Sequence, residues 1–143
     1  MGQLIRRAVS AIVAGLALAT WTSCQSSPDS PSPISLTGVW GGEHITLTVT
    51  ETGSRLEFDC AHGDIPGKLT PDASGMFATP GVFVREHGGP IREGESPDAH
   101  PAMYVGTVTA ATLRLTVRLT ETNEMVGTFS LIQGSQGRVL KCL

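Results

Sequence analysis

Charge is scarce in this chain. Asp, Glu, Lys and Arg make up 16% of its 143 residues, against about a quarter in an average soluble domain. Aromatics are few, at 5%, while glycine, with 17 residues, and threonine are plentiful. That profile fits long surface helices poorly and suits short strands and tight turns. Basic clusters are absent. From residue 24 onward eight Lys and Arg stand against thirteen Asp and Glu, a net charge of −5. A surface of that kind has nothing to offset phosphate charge, so no nucleic-acid partner is expected. The motifs of common chemistry are missing too. There is no G-x-S-x-G nucleophile elbow and no carboxylate pair in an apolar setting that would raise one pKa. Gly134–Gly137 belongs to a hairpin turn, not to a phosphate loop ahead of a helix. No reaction and no cofactor is therefore read from the residues.

What is present begins with an export signal. Met1–Ser23 has a positive start at Arg6 and Arg7, then a twelve-residue apolar stretch from Ala8 to Ala19. That stretch is too short to span a bilayer, which takes about twenty helical residues. Two endings are open. Ala17-Leu18-Ala19 is an A-x-A site that would release a soluble protein from Thr20. Trp21-Thr22-Ser23-Cys24 resembles the lipobox of bacterial lipoproteins, although Trp21 stands where an aliphatic residue is usual. The resemblance implies that Cys24 becomes the lipidated first residue. Residues 24–35 are rich in Ser and Pro and read as an extended tether, which lipoproteins place between lipid and domain. The tether favours the second ending. The expected location is the cell envelope, with the membrane as partner through the lipid; soluble export is the alternative.

Three cysteines are present, Cys24, Cys60 and Cys142. With Cys24 given to lipid, Cys60 and Cys142 are left to pair in an oxidising compartment. The alternative is two unpaired buried thiols. A bridge closing a loop of about 80 residues stabilises a fold by about 4 kcal/mol in the chain-entropy model.

From residue 36 to 143 the dominant pattern is period-2 alternation. It predicts strands at His44–Thr50, Arg55–Cys60, Ile65–Thr70, Met76–Glu86, Ala102–Thr109, Thr112–Thr120, Met125–Gln133 and Gly137–Leu143. In the second of these, Leu56, Phe58 and Cys60 face inward, and Glu57 and Asp59 outward. Ala61–Asp64 reads as a turn, and Pro80-Gly81 as a break. His87–Pro101 is the one long irregular loop. An eight-stranded meander closes most economically into an all-β up-and-down barrel, with a two-sheet β-sandwich as the alternative. Closure would set the last strand beside the first and bring Cys60 and Cys142 to one rim.

Leu36-Thr37-Gly38-Val39-Trp40 resembles the opening G-x-W strand of lipocalins and avidins. The resemblance implies a calycin-type barrel with the Trp plugging one end. The whole domain also resembles a family of small bacterial exported lipoproteins. The matching segments are Gly41-Gly42-Glu43-His44, Leu56–Gly63, Glu86–Pro90, Gly127-Thr128-Phe129 and Gly137–Leu143. That likeness implies a fold and no activity.

Candidate chemistry falls in two places. Glu57, Asp59, His62 and Asp64 offer ligands that a divalent metal would use, or else a solvated strand face and an Asx-type turn. Trp40, Arg85, Glu86, His87 and His100 are the candidate ligand contacts, the last four around the long loop, where barrels often gate a mouth. His44 reads as an exposed residue on an outer face. The inward positions are almost wholly apolar, so the interior either fills itself or holds something apolar. The leading expectation is a non-enzymatic structural or interaction module that meets an envelope protein. The alternatives are a lipocalin-like binder of a small apolar ligand and a metal-dependent hydrolase.

Overall fold

Alternating residues on a pleated strand send one set inward and the next outward. A computed structural model describes residues 35–142, and there this pattern closes on itself. The strands are β1 (Gly38–Gly42), β2 (Ile45–Val49), β3 (Gly53–Phe58), β4 (Ala61–Pro66), β5 (Met76–Arg85), β6 (Asp98–Thr109), β7 (Thr112–Leu119) and β8 (Met125–Gln133). Each pairs antiparallel with its neighbour, and β1 pairs with β8, so the sheet is a closed up-and-down barrel and not a sandwich. The export signal, Cys24 and the tether through Ile34 lie outside the described residues.

The interior is packed with side chains. Trp40, Ile45, Leu47, Leu56, Tyr104, Leu113, Leu115, Val117 and Leu131 have no exposed surface. Leu36 and Leu69 fold over the end where β1 begins and are almost as buried. The Trp40 indole Nε1 donates to the Leu36 carbonyl at 2.7 Å, satisfying its one polar atom. Toward the other end, Phe58 lies 5.4 Å from Phe83 and 5.3 Å from Phe129, ring centre to ring centre, in tilted pairs. This second end is ringed by the turns 43–44 and 59–60 and by the loops 86–97 and 120–124; it is the mouth.

Several sequence expectations are corrected here. The barrel has eight strands, but one of them is β1 and not Gly137–Leu143. Gly41 lets β1 lie flat under the C-terminal segment, which crosses its outer face as a strap, while Gly42 makes room for the Ser130 carbonyl of β8. A Cβ on Gly41 would strike the strap backbone at Gln136 and Gly137. The strap makes a single parallel bridge, Glu43 to Arg138, held by Arg138 N–H to Gly42 O at 2.9 Å and His44 N–H to Arg138 O at 2.8 Å. Next, β4 spans Ala61–Pro66, where a turn was expected at Ala61–Asp64, and of the strand expected at Ile65–Thr70 only Ile65 and Pro66 lie in a strand. The turn is the two residues Asp59-Cys60, with Cys60 at φ 50°. Cys60 thus sits on the rim and does not face inward. His44, at φ 65°, occupies the β1–β2 turn and not a strand face. Strand β5 runs unbroken through Pro80-Gly81, because the inward Gly81 makes room for the Tyr104 ring. Finally, β6 begins at Asp98, so His100 lies on a strand and not in the loop.

Candidate functional site

Polar chemistry concentrates at the mouth, because four connections meet there and the strap arrives there. Cys60 and Cys142 form a disulfide with Cα atoms 5.0 Å apart, fastening the strap to the β3–β4 turn. Just before it, the Leu140 N–H donates to Asp59 Oδ1 at 2.7 Å. Lys141 Nζ donates to Glu57 Oε2 at 2.5 Å, Glu86 Oε2 at 3.2 Å and the Ala61 carbonyl at 3.3 Å.

These contacts join a longer chain of charges over the outer face. Arg55 donates to Asp64 at 2.7 Å and to Glu57 at 2.9 Å, Lys141 bridges Glu57 and Glu86, and Glu86 meets His62 Nδ1 at 2.5 Å. His62 pulls the Glu86 carboxyl below its ordinary range, and Lys141 adds to the effect against some burial. Burial pushes Glu57 upward, but Lys141 and Arg55 outweigh it and leave it low. Burial pushes Lys141 down, and its two carboxylate partners more than reverse that. Asp59 is held low first by the Leu140 amide and then by His44, 2.5 Å away. Isolated surface pairs contribute little; a connected network over one strap contributes more.

Beside this network the mouth opens into a recess of about 370 Å³. Ala61, Phe83, Met125 and Val126 line it together with the disulfide's Cys60, and Asp59, Arg85, Glu86 and Glu124 ring it. Arg85 Nη2 donates to both Glu124 oxygens, at 2.9 and 3.1 Å, and Nη1 lies 3.2 Å from His100 Nε2. His100 also lies 2.8 Å from Asp98.

The expected sites are redistributed. Asp59, His62 and Asp64 do not converge: they serve Leu140 and His44, Glu86, and Arg55 respectively. Among the described residues no group of three His, Cys, Asp or Glu side chains is placed to hold a metal. Of the ligand candidates, Arg85 and Glu86 do reach the recess. His87 turns away to Glu95, 2.5 Å distant, within the loop. Trp40 is sealed in the core and touches no ligand unless the barrel opens. Sequence reasoning passed over Lys141, Glu124 and Tyr104. Lys141 was signalled only by its place beside Cys142. Tyr104 Oη donates to the Val82 carbonyl at 2.8 Å inside the wall, and burial pushes its pKa up, with the Asp64 charge adding to it.

The chain matches no protein-family model, no curated protein and no solved structure. What defines its class is the geometry alone: a self-filled, strapped β-barrel with a charged rim.

Proposed function

We propose that this is an exported, lipid-anchored envelope protein whose barrel is a non-enzymatic interaction module. The observation that carries the reading is the interior. Buried apolar side chains, from Leu36 at one end to Phe83 at the other, occupy it, which favours recognition at the surface over a carried molecule. Function is thereby left to the outer wall and the rim. The pairing of Cys60 with Cys142 supports export, since such bonds persist in oxidising compartments. It also leaves Cys24 as the cysteine to which the lipobox likeness assigns lipid. The test is the intact mass of the protein extracted from host membranes. The expected mass is that of a chain starting at lipidated Cys24 and lacking two hydrogens for the disulfide. A soluble chain starting at Thr20 would overturn the anchor.

A second reading draws on the mouth recess, whose apolar wall of Phe83, Met125 and Val126 suits a small apolar group. Native mass spectrometry of the protein from its host separates the two. A bound small molecule, lost when Val126 is changed to Asp, selects the ligand binder. The bare chain selects the interaction module.

A further inference from the structure

The strap, residues 134–142, stands apart from the barrel it crosses. Among the described residues, none of the ladders that close the sheet uses it, and its one ladder contact is the bridge from Arg138 to Glu43. Elsewhere it lies backbone on backbone. A Cβ on Gly137 would strike the Ile45 carbonyl and the Thr46 hydroxyl, just as one on Gly41 would strike the strap.

Its noncovalent hold is thin. Gly134 donates its N–H to Val39 O, Arg138 exchanges backbone bonds with Gly42 and His44, and the Leu140 N–H reaches Asp59. Lys141 adds an ammonium that is itself exposed. Apart from half-buried Ser135, Gly137 and Val139, the strap lies in solvent. Fixing one residue's backbone costs at least as much as one such hydrogen bond returns, and exposed ion pairs return less. Most of the strap's residues make no such bond. A chain end of this kind is ordered only where it is tied down, and the tie is the Cys60–Cys142 bond.

We propose that this bond is a redox switch: reduction by a dithiol releases the strap from a barrel that stays closed, and reoxidation fastens it again. Cys142 is exposed, whereas Cys60 is half-buried in the β3–β4 turn. A thiolate of the dithiol therefore attacks Cys142 Sγ. The bond between the two cysteines breaks, and Cys60 leaves as a thiolate and takes up a proton. Cys142 is then held in a mixed disulfide. The second thiol of the dithiol attacks its own partner sulfur there, closes the reagent's internal disulfide and frees Cys142 as a thiol. Two electrons and two protons have passed to the protein. The turn outlasts the bond, because Phe58–Ala61 and Glu57–His62 pair without the strap.

Release changes what the molecule presents. Lys141 leaves Glu57 and Glu86, which keep Arg55 and His62 as partners. Arg138 uncovers the Gly42 carbonyl and the His44 N–H. The fastened and released forms thus have different outer faces over β1 and β2. The inference goes beyond the interaction-module reading, and its test reads neither lipid nor a partner, so the two fail separately.

The experiment is amide hydrogen exchange at neutral pH on the exported full chain carrying Cys24→Ala, oxidised and after dithiothreitol. The expected result is that the His44, Arg138 and Leu140 amides exchange about a hundredfold faster once the bond is reduced, while those of Leu113, Leu115 and Val117 remain slow. Cys60→Ala with Cys142→Ala should show the released pattern without reagent. Strap amides as slow in the reduced chain or in this variant as in the oxidised chain overturn the proposal. So does loss of protection throughout the barrel, which would make the bond a staple of the whole fold. A bond that millimolar dithiothreitol leaves intact in the folded chain overturns it too. Brief exposure to glutathione, quenched with iodoacetamide and mapped by mass spectrometry, should find glutathione on Cys142 and the alkyl group on Cys60. The reverse pattern overturns the route.

Discussion

At Gly63 and Gly81 the wall of the barrel is one side chain thinner than elsewhere, and the Tyr104 ring fills the gap. A Cβ at Gly63 would collide with the Tyr104 hydroxyl, and one at Gly81 would lie 2.9 Å from the ring. Both glycines sit mid-strand, where glycine ordinarily weakens a sheet. Here they are required by close approach and not by backbone angle. Gly63→Ala is expected to destabilise the fold by about 1–3 kcal/mol through overpacking, measured by urea unfolding. Tyr104→Phe introduced with it should recover part of the loss, because the collision is with the hydroxyl. An unchanged unfolding midpoint for Gly63→Ala would remove this account of the slot. The slot was invisible in the sequence. Nothing in Ala61–Asp64 announces that a tyrosine forty residues later needs the space, and the same glycine made the segment look like a turn.

Among the elements, the strap holds differently from the strands. Val139 is half-buried and Leu140 is 71% exposed, so hydrophobic burial does little for it. Its hold comes from the disulfide and the charged network. Replacing Cys60 and Cys142 together by Ala is expected to cost about 4 kcal/mol, the loop-closure value for such a span, read from the thermal midpoint. The network adds a pH dependence. Glu86 and Glu57 sit below their ordinary 4.5 in the folded protein, so their contribution is complete above that pH. It is lost as pH falls through the lowered folded values. Lys141 sits above its ordinary 10.5, so its contribution is complete below that pH and fades as pH rises through the raised value. The melting temperature should therefore fall in acid below 4.5. In Lys141→Met it should start lower and fall less over the same range.

The elements also show where a sequence is readable. Strands β6, β7 and β8 were legible because strict alternation, as in Leu113, Leu115 and Val117, leaves one register that buries the apolar row. Strand β1 was legible only as the short G-x-W likeness. Its two glycines carry no alternation, whereas the strap offers the apolar pair Val139 and Leu140, so the eighth place went to the wrong segment. The Cys60–Cys142 bond was readable from the cysteine count. The charged network was not, because Glu57, Glu86 and Lys141 meet only once the strap has crossed β1 and β2.

For the whole molecule, closure is the governing fact. A closed sheet has no bare edge to recruit another strand. Closure depends on three residue pairs at the seam, Trp40–Gln133, Gly41–Ile132 and Gly42–Leu131. A chain cut before Met125 would leave β1 and β7 as open edges. Such a chain is expected to aggregate on expression, seen by light scattering, whereas the full chain stays dispersed. A soluble, folded truncation would show that the seam is dispensable.

The seam and the disulfide both join early residues to late ones: β1 to β8, and Cys60 to Cys142. The consequence concerns timing. While the ribosome is still making β7, no closed barrel exists, and the strap that will cover Gly41 has not been made. The barrel therefore closes only after β8 has been made, and the strap is fastened only after Cys142 has followed it.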